Sequence, residues 1–185
     1  LNPLIFGEQY YLIGPLLIIA MLLTGVFFLS FTVWKKIFRA GNEECIFYSV
    51  IWAVLCTQFL PRASQGIYWY NGAVYYTFFF GLAAIAYAML IRFILNGKDA
   101  FEYARLAAVS VLLFLIGGGN LVTGLTTAVL LVSAEFLLIL VKREEWKKLL
   151  LPIICFFIAF MINVSAPGNE ARQKYFSQPG LFRAV

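Results

Sequence analysis

Residues 10–34 read YYLIGPLLIIAMLLTGVFFLSFTVW, an apolar stretch without a single charged side chain. A helix of about 20 apolar residues is long enough to cross the hydrocarbon core of a bilayer, which is about 30 Å thick. Because no water is available there to bind free backbone groups, such a segment has to close its hydrogen bonds within itself, as a helix does. The stretch therefore predicts a transmembrane helix near the start of the chain.

The rest of the chain repeats this pattern of long apolar runs separated by short polar breaks. Of its 185 residues, 63% are hydrophobic and 12% are charged, which leaves too little polar surface for a water-soluble domain of this size. The runs also lack the alternation of a membrane β-barrel. We therefore predict an all-α fold, a polytopic transmembrane helical bundle that forms one domain over residues 1–185. The six predicted spans cover residues 10–34, 45–60, 72–95, 105–118, 122–141 and 149–165.

Lysine and arginine concentrate in alternate loops between the predicted spans. The loops after the first, third and fifth spans hold ten of the fourteen: Lys35, Lys36, Arg39, Arg92, Lys98, Arg105, Lys142, Arg143, Lys147 and Lys148. Cytoplasmic loops are the ones enriched in these residues, so the N-terminus is predicted to lie on the outer side of a cell membrane that the chain crosses several times. The same distribution argues against a nucleic-acid partner, since a basic groove needs its cations on one soluble face.

The chain has no histidine, and Asp99 is its only aspartate. This composition argues against catalysis by a histidine base and against the common zinc and paired-carboxylate sites. The sequence therefore predicts no metal and no cofactor. Cys45, Cys56 and Cys155 fall at a predicted cytoplasmic boundary or inside spans, so we expect no disulfide.

Three segments at the predicted outer ends of the spans are rich in polar, aromatic or glycine residues, at positions 61–76, 117–127 and 163–174. Stacking rings, amides and a cation together are what a site for a sugar or a lipid phosphate requires. The candidate substrate-binding residues are Arg62, Gln65, Tyr68, Trp69, Tyr70, Asn71, Asn120, Asn169, Glu170 and Arg172. Two plainer interpretations stay open: an aromatic belt at headgroup depth explains the rings, and a tight turn between helices explains the glycines at 117–119.

Glu135 is an ionisable residue inside the fifth predicted span, towards its cytoplasmic half. Ionisable groups within spans are rare and often functional. Three roles are compatible with the sequence: a neutral carboxyl group, an ion pair with Arg105 or Lys142 near the inner interface, or the handling of protons or ions.

Two short motifs carry a resemblance to known proteins. Tyr68-Trp69-x-x-Gly72 opens a predicted span, and Ala166-Pro167-Gly168-Asn169-x-x-Arg172 closes a later one. With these motifs the chain resembles, over nearly its whole length, an uncharacterised family of bacterial multi-pass proteins that look like the GT-C glycosyltransferases. The resemblance implies a fragment of a larger GT-C-like membrane domain in a bacterial cytoplasmic membrane. It also implies an enzyme that takes a sugar from a polyprenyl-phosphate carrier and transfers it to a glycan or lipid acceptor of the cell envelope on the outer face.

In GT-C enzymes an acidic residue, usually aspartate, lies in the first outer loop and acts as a base or positions a metal. The only carboxylates on the predicted outer face here are Glu8 and Glu170. Two alternatives follow from the resemblance: the catalytic acid lies upstream of Leu1, which is the alternative we favour, or the protein is not an active transferase. Within this hypothesis Arg62 and Arg172 hold the carrier phosphate, because the arginine fork binds phosphate oxygens in pairs.

Two other functions are compatible with a membrane bundle of this composition. In a transporter or flippase, the glycine break and Glu135 would belong to a path through the bundle. In a non-catalytic assembly subunit, the outer polar segments would form a contact surface for other proteins.

The charge distribution makes the topology testable by cysteine labelling. In a variant without the three native cysteines, Lys98→Cys and Glu145→Cys should react with an impermeant maleimide only from the cytoplasmic side. Gln65→Cys and Asn169→Cys should react only from the outside, because cations are retained on the inner side. If positions 65 and 145 react from the same side, the six-span arrangement is wrong.

Overall fold

The computed structural model describes residues 12–60, 62, 64–96, 101–141 and 146–168. All regular structure within these ranges is helical, which confirms the all-α prediction. The helices are α1 (Ile13–Lys36), α2 (Asn42–Gln58), α3 (Tyr70–Ala73), α4 (Phe79–Asn96), α5 (Glu102–Gly118), α6 (Leu121–Leu140) and α7 (Trp146–Val164). Two π-helical segments, Ser64–Tyr68 and Val74–Phe78, flank α3.

Four helical runs are long and apolar enough to cross a membrane: Ile13–Lys36, Tyr70–Leu95, Leu121–Leu140 and Trp146–Val164. They coincide with the first, third, fifth and sixth predicted spans and show that the chain has the composition of a membrane protein. The second and fourth predicted spans coincide with α2 and α5, which have 17 residues each. That length is at the lower limit for a transmembrane helix.

The bundle is built outward from α1 and α4, which pack against each other along much of their length. Helix α2 also packs against α1, and α5 also packs against α4. The most extensive contact of α5 is with α7, and α6 packs mainly on α7 with smaller contacts to α5 and α4. Helix α2 is therefore held chiefly by α1, and α6 lies at the periphery.

Glycines lie where the two closest helix pairs cross. A Cβ atom on Gly25 of α1 would be 2.2 Å from the carbonyl oxygen of Gly81 in α4, and a Cβ on Gly81 would be 2.8 Å from the carbonyl oxygen of Met21. At the second crossing, a Cβ on Gly117 of α5 would be 2.5 Å from the carbonyl oxygen of Phe156 in α7. Small residues allow membrane helices to approach this closely, and the resulting van der Waals contact holds them together.

Two polar contacts inside the bundle join neighbouring helices through side chains of α4. The hydroxyl oxygens of Tyr87 in α4 and Thr127 in α6 are 2.6 Å apart. Arg92 of α4 donates from Nε to Oγ1 of Thr32 in α1 at 3.1 Å, and its guanidinium carbon lies 4.3 Å from the ring centre of Phe28. These contacts tie α4 to both α6 and α1.

The α5–α7 pair is fastened at both ends. At one end Glu102 of α5 forms an ion pair with Lys148 of α7. At the other end Asn163 of α7 donates from Nδ2 to the carbonyl oxygens of Gly117 and Gly119, at 3.1 and 2.9 Å. These carbonyls are at the end of α5, where a helix leaves its last acceptors without partners. Asn163 therefore supplies hydrogen bonds to two carbonyl groups at the α5 terminus.

The glycine crossing predicts a position-specific effect on stability. Gly25→Ala should lower the free energy of unfolding by about 1–3 kcal/mol, because the added methyl group meets backbone atoms that cannot rotate away. The control is Gly118→Ala, since a Cβ at Gly118 has no atom within 4 Å; this variant should stay within about 0.5 kcal/mol of the parent. The measurement is the thermal midpoint in detergent, and equal midpoints for the two variants would contradict the close approach of α1 and α4.

Candidate functional site

A groove runs along α1 between α2 and α4. It has two parts with volumes of about 650 and 490 Å³, and both parts are lined by Trp52, Cys56 and Phe80. We call the two parts together the α1 groove. Trp52, Phe80 and Tyr76, which also lines it, are each at least half exposed, so the groove is open to the surroundings of the bundle.

The α1 groove runs along the axis of α1, a predicted transmembrane helix, for a considerable distance. Its lining includes Leu22 near one end and Trp34 near the other, twelve residues apart on α1. At a rise of 1.5 Å per residue this separation corresponds to about 18 Å, more than half of the hydrocarbon thickness. One end is bordered by Leu60 and Asn120, which the charge distribution predicts to be the extracytoplasmic end. We refer to it as the outer end.

Asn120 at the outer end is fully buried. The oxygen and the nitrogen of its side-chain amide have different hydrogen bonding. Its Oδ1 accepts hydrogen bonds from the backbone N–H groups of Val122 at 2.7 Å and Thr123 at 3.0 Å, which caps the N-terminus of α6. Its Nδ2 is buried and has no hydrogen-bond partner among the described residues. Asn120 is among the residues that line the outer part of the groove, so one polar side chain borders walls that are otherwise mainly apolar.

The three glycines before Asn120 have separate structural roles. Gly117 is part of the crossing with α7, and α5 ends at Gly118. A Cβ on Gly119 would lie 2.2 Å from the ring of Phe79, so a side chain at this position would require that ring to move. Because α6 begins at Leu121, the connection is a tight turn, and it is this turn that brings Asn120 against α4 and the groove.

The aromatic segment before α4 lies beside the outer end rather than inside the groove. Arg62, Tyr68, Trp69 and Asn71 are exposed and Tyr70 is half-buried. None of these five residues lines the groove. Their exposure agrees equally well with a binding surface and with an aromatic belt at headgroup depth.

A hydrogen bond joins the aromatic segment to the wall of the groove. Thr77 donates from Oγ1 to the carbonyl oxygen of Gly66 at 2.6 Å, and Thr77 itself lines the outer part of the groove. Gln65 lies in the same π-helical segment, but its side chain is outside the description. Asn169, Glu170 and Arg172 also lie outside the described residues.

A second cavity, of about 890 Å³, lies on the other face of the same helices and is lined by residues such as Leu23, Phe27 and Val54. It is larger than either part of the α1 groove. Thr57 in its wall donates to backbone carbonyls of its own helix, and the other lining residues are apolar except Thr24. We therefore regard it as a surface that lipid tails fill, and the α1 groove, which contains a buried donor without a partner, as the better site.

Glu135 lies on the face of α6 that is turned towards the bundle. The buried residues of this face are Gly124, Thr127, Ala128, Leu131 and Leu138. Both carboxylate oxygens of Glu135 are buried and lack a hydrogen-bond partner within the described part of the chain. An ionised carboxylate without a partner is costly in such surroundings. Among the described residues, no three His, Cys, Asp or Glu side chains are grouped to hold a metal.

The residues that form most of the α1 groove were not among the sequence candidates. Trp52 and Phe80 are apolar residues in apolar spans, so they do not stand out from their neighbours. One signal was available: Trp52 lies in the middle of its span, whereas tryptophan usually collects at the membrane interfaces. The distinction between lipid-facing and groove-facing rings depends on helix packing, which the sequence alone does not give.

The buried carboxyl group of Glu135, which has no partner among the described residues, predicts tolerance of a neutral replacement. Glu135→Gln should change the free energy of unfolding by less than about 0.5 kcal/mol, because glutamine has the shape of the protonated acid. Glu102→Gln is the control, since it removes the ion pair with Lys148 and should cost about 1 kcal/mol. Thermal midpoints in detergent compare the two. A loss of several kcal/mol for Glu135→Gln would show instead that Glu135 is ionised and held by a partner.

No protein family model matches this chain, and no curated protein or solved structure matches it either.

Proposed function

We propose that this chain belongs to a membrane enzyme that transfers a sugar from a polyprenyl-phosphate carrier to a glycan or lipid acceptor on the extracytoplasmic side. In this proposal the α1 groove holds the hydrocarbon chain of the carrier. The observation that carries it is the groove itself, which is long, open at the side, lined by aromatic rings and bordered at its outer end by a polar residue.

A polyprenyl chain is dissolved in the bilayer before it binds, so the hydrophobic effect does not drive it into the groove. Binding has to come from closer packing and from polar contacts, as it does between membrane helices. The rigid rings of Trp52, Tyr76 and Phe80 provide a large contact area with little loss of conformational freedom. Because the groove is open at the side, a chain can enter it from the bilayer without leaving hydrocarbon.

The exposed segment beside the outer end supplies groups suited to the sugar. Tyr68 and Trp69 are more than half exposed, and such rings stack on the apolar faces of sugars. Arg62, also exposed, follows Leu60 of the groove by two positions, and a guanidinium group can bind phosphate oxygens in pairs. These residues support a sugar-phosphate headgroup at the outer surface, with the hydrocarbon chain below it.

A flippase for the same class of lipid is the second candidate, and Glu135 favours it. A protonated carboxyl group within a span is a common part of proton-coupled transport. The π-helical segment Val74–Phe78 lies in the same span as α4, and such segments are frequent at functional sites. The two candidates differ in outcome, since a transferase separates the sugar from its carrier and a flippase moves the intact lipid to the other leaflet.

The chain-binding role predicts a difference between two half-buried cysteines. Cys56→Phe should weaken binding of polyprenyl phosphate about tenfold or more, because the ring fills the region shared by both parts of the groove. Cys155→Phe is the matched control, because Cys155 is half-buried on α7 and does not line the groove. The affinity of the Cys155→Phe variant should stay within about twofold of the affinity of the parent protein. The measurement is the dissociation constant in nanodiscs, and equal affinities for the two variants would remove the groove from the proposal.

The reaction itself is tested with the full-length protein in liposomes, supplied with a radiolabelled polyprenyl-phosphate sugar and membrane acceptors. Label recovered on the acceptor supports the transferase. Label that stays on the carrier but becomes inaccessible from the original side supports the flippase.

A further inference from the structure

We infer that the side-chain amide of Asn120 donates a hydrogen bond to the phosphate group of the lipid held in the α1 groove. This inference rests on the proposed function, because it takes the lipid-binding role of the groove as given. It adds the residue that would distinguish a phosphorylated lipid from a neutral one.

The orientation of the Asn120 amide is fixed by its neighbours. Two backbone N–H groups, of Val122 and Thr123, point at one atom of the amide, and only the oxygen can accept from them. The opposite orientation would place NH₂ hydrogens against these N–H hydrogens. The Nδ2 group therefore takes part in neither of these hydrogen bonds, and it is buried without a partner within the described residues.

A buried donor without an acceptor is uncommon in folded proteins, and such groups call for a specific explanation. At this position an acceptor can come from the groove, whose lining includes Asn120. A ligand oxygen at the outer end would complete the hydrogen bonding of the amide while the rest of the ligand lies in the apolar part. A purely hydrocarbon occupant would leave Nδ2 unsatisfied.

The electrostatics of the outer end favour an anionic oxygen. Asn120 is at the N-terminus of α6, a helix of 20 residues, where the helix dipole gives a partial positive charge. Helix N-termini bind phosphate groups for this reason. No Asp or Glu is among the described residues that line either part of the groove, so no carboxylate there opposes an anion.

The position of Asn120 at the predicted outer surface indicates which class of phosphate-bearing lipid fits the groove. Asn120 is in the turn between α5 and α6, at the predicted outer surface, and the groove extends from it along α1 towards Trp34. A phosphate monoester on a single long hydrocarbon chain matches this arrangement. We therefore commit to polyprenyl phosphate, and a phospholipid such as phosphatidic acid is the alternative source of the same headgroup.

The test uses Asn120→Asp and Asn120→Ser in the full-length protein. Both replacements keep an oxygen that can cap α6, and Asp and Ser are as good as Asn at this position, so the fold should be retained. Both remove the amide donor, and ionised Asp also repels a phosphate. Dissociation constants are measured in nanodiscs for polyprenyl phosphate, for polyprenol of the same length, and for phosphatidic acid.

The parent protein should bind polyprenyl phosphate more tightly than polyprenol. Each variant should lose about 10- to 100-fold in affinity for polyprenyl phosphate, the effect of one charge-assisted hydrogen bond. Affinity for polyprenol should change by less than about threefold, because the chain contacts remain. Selective loss of affinity for the phosphorylated lipid is the expected result.

Each of the other possible results contradicts the proposed function, the role of Asn120 or the identity of the lipid. If the parent binds neither polyprenyl lipid, the groove is not a site for the carrier chain and the proposed function fails. If both variants bind polyprenyl phosphate as tightly as the parent does, Asn120 does not bind the phosphate. The groove then remains the proposed site for the carrier chain. If only phosphatidic acid loses affinity, the ligand is a phospholipid.

A measurement on the unmodified protein covers the case in which the variants do not fold. Polyprenyl phosphate with a photoreactive group next to the phosphate should cross-link to the peptide that contains Asn120 and Thr123. Cross-links confined to α7 or to the cytoplasmic end of α1 would overturn the inference.

Discussion

The close backbone contact between α1 and α4 is the constraint on which the rest of the bundle depends. Gly25 and Gly81 meet with no space for a side chain at either position, so these two helices form a fixed pair. Helix α2 packs on α1, and α5 packs on α4, so the pair separates α2 from the other half of the bundle. The α1 groove lies in this separation, with α1 as its floor and with α2 and α4 as its walls.

The peripheral helix α6 has an unusual position in this arrangement. Its N-terminus is capped by Asn120, and its hydroxyl contact with α4 joins Thr127 to Tyr87. One residue therefore holds the end of a lightly packed helix and borders the groove. In the proposed site, occupancy of the groove would be linked to the attachment of α6, because the oxygen that caps the helix and the proposed donor belong to the same amide group.

The sequence was sufficient for the helices and much less so for the site. Apolar runs and cation-rich loops place the helices to within a few residues, because length and hydropathy alone decide what a membrane accepts. The start of α2 at Asn42 rather than residue 45 follows from a local contact, in which the Gly41 N–H donates to Oε2 of Glu44 at 2.8 Å. Asn120 was predictable because a polar residue stands out against apolar neighbours. Trp52 and Phe80 were not, since their role depends on which helix faces separate.

The 17 residues of α2 have a consequence for the surrounding lipid. A helix of this length extends about 26 Å, less than the hydrocarbon core of about 30 Å. In the predicted arrangement, in which α2 also crosses the membrane, the bilayer next to α2 would have to become thinner, or the ends of the helix would have to lie below the headgroups. Either change has a modest energetic cost per ångström of mismatch. Because α2 forms one wall of the α1 groove, this thinned annulus would lie at the opening of the groove. Bilayer thickness would therefore act on the depth at which a lipid headgroup meets Asn120, and membranes of different acyl-chain length would present the same lipid to the groove at different heights.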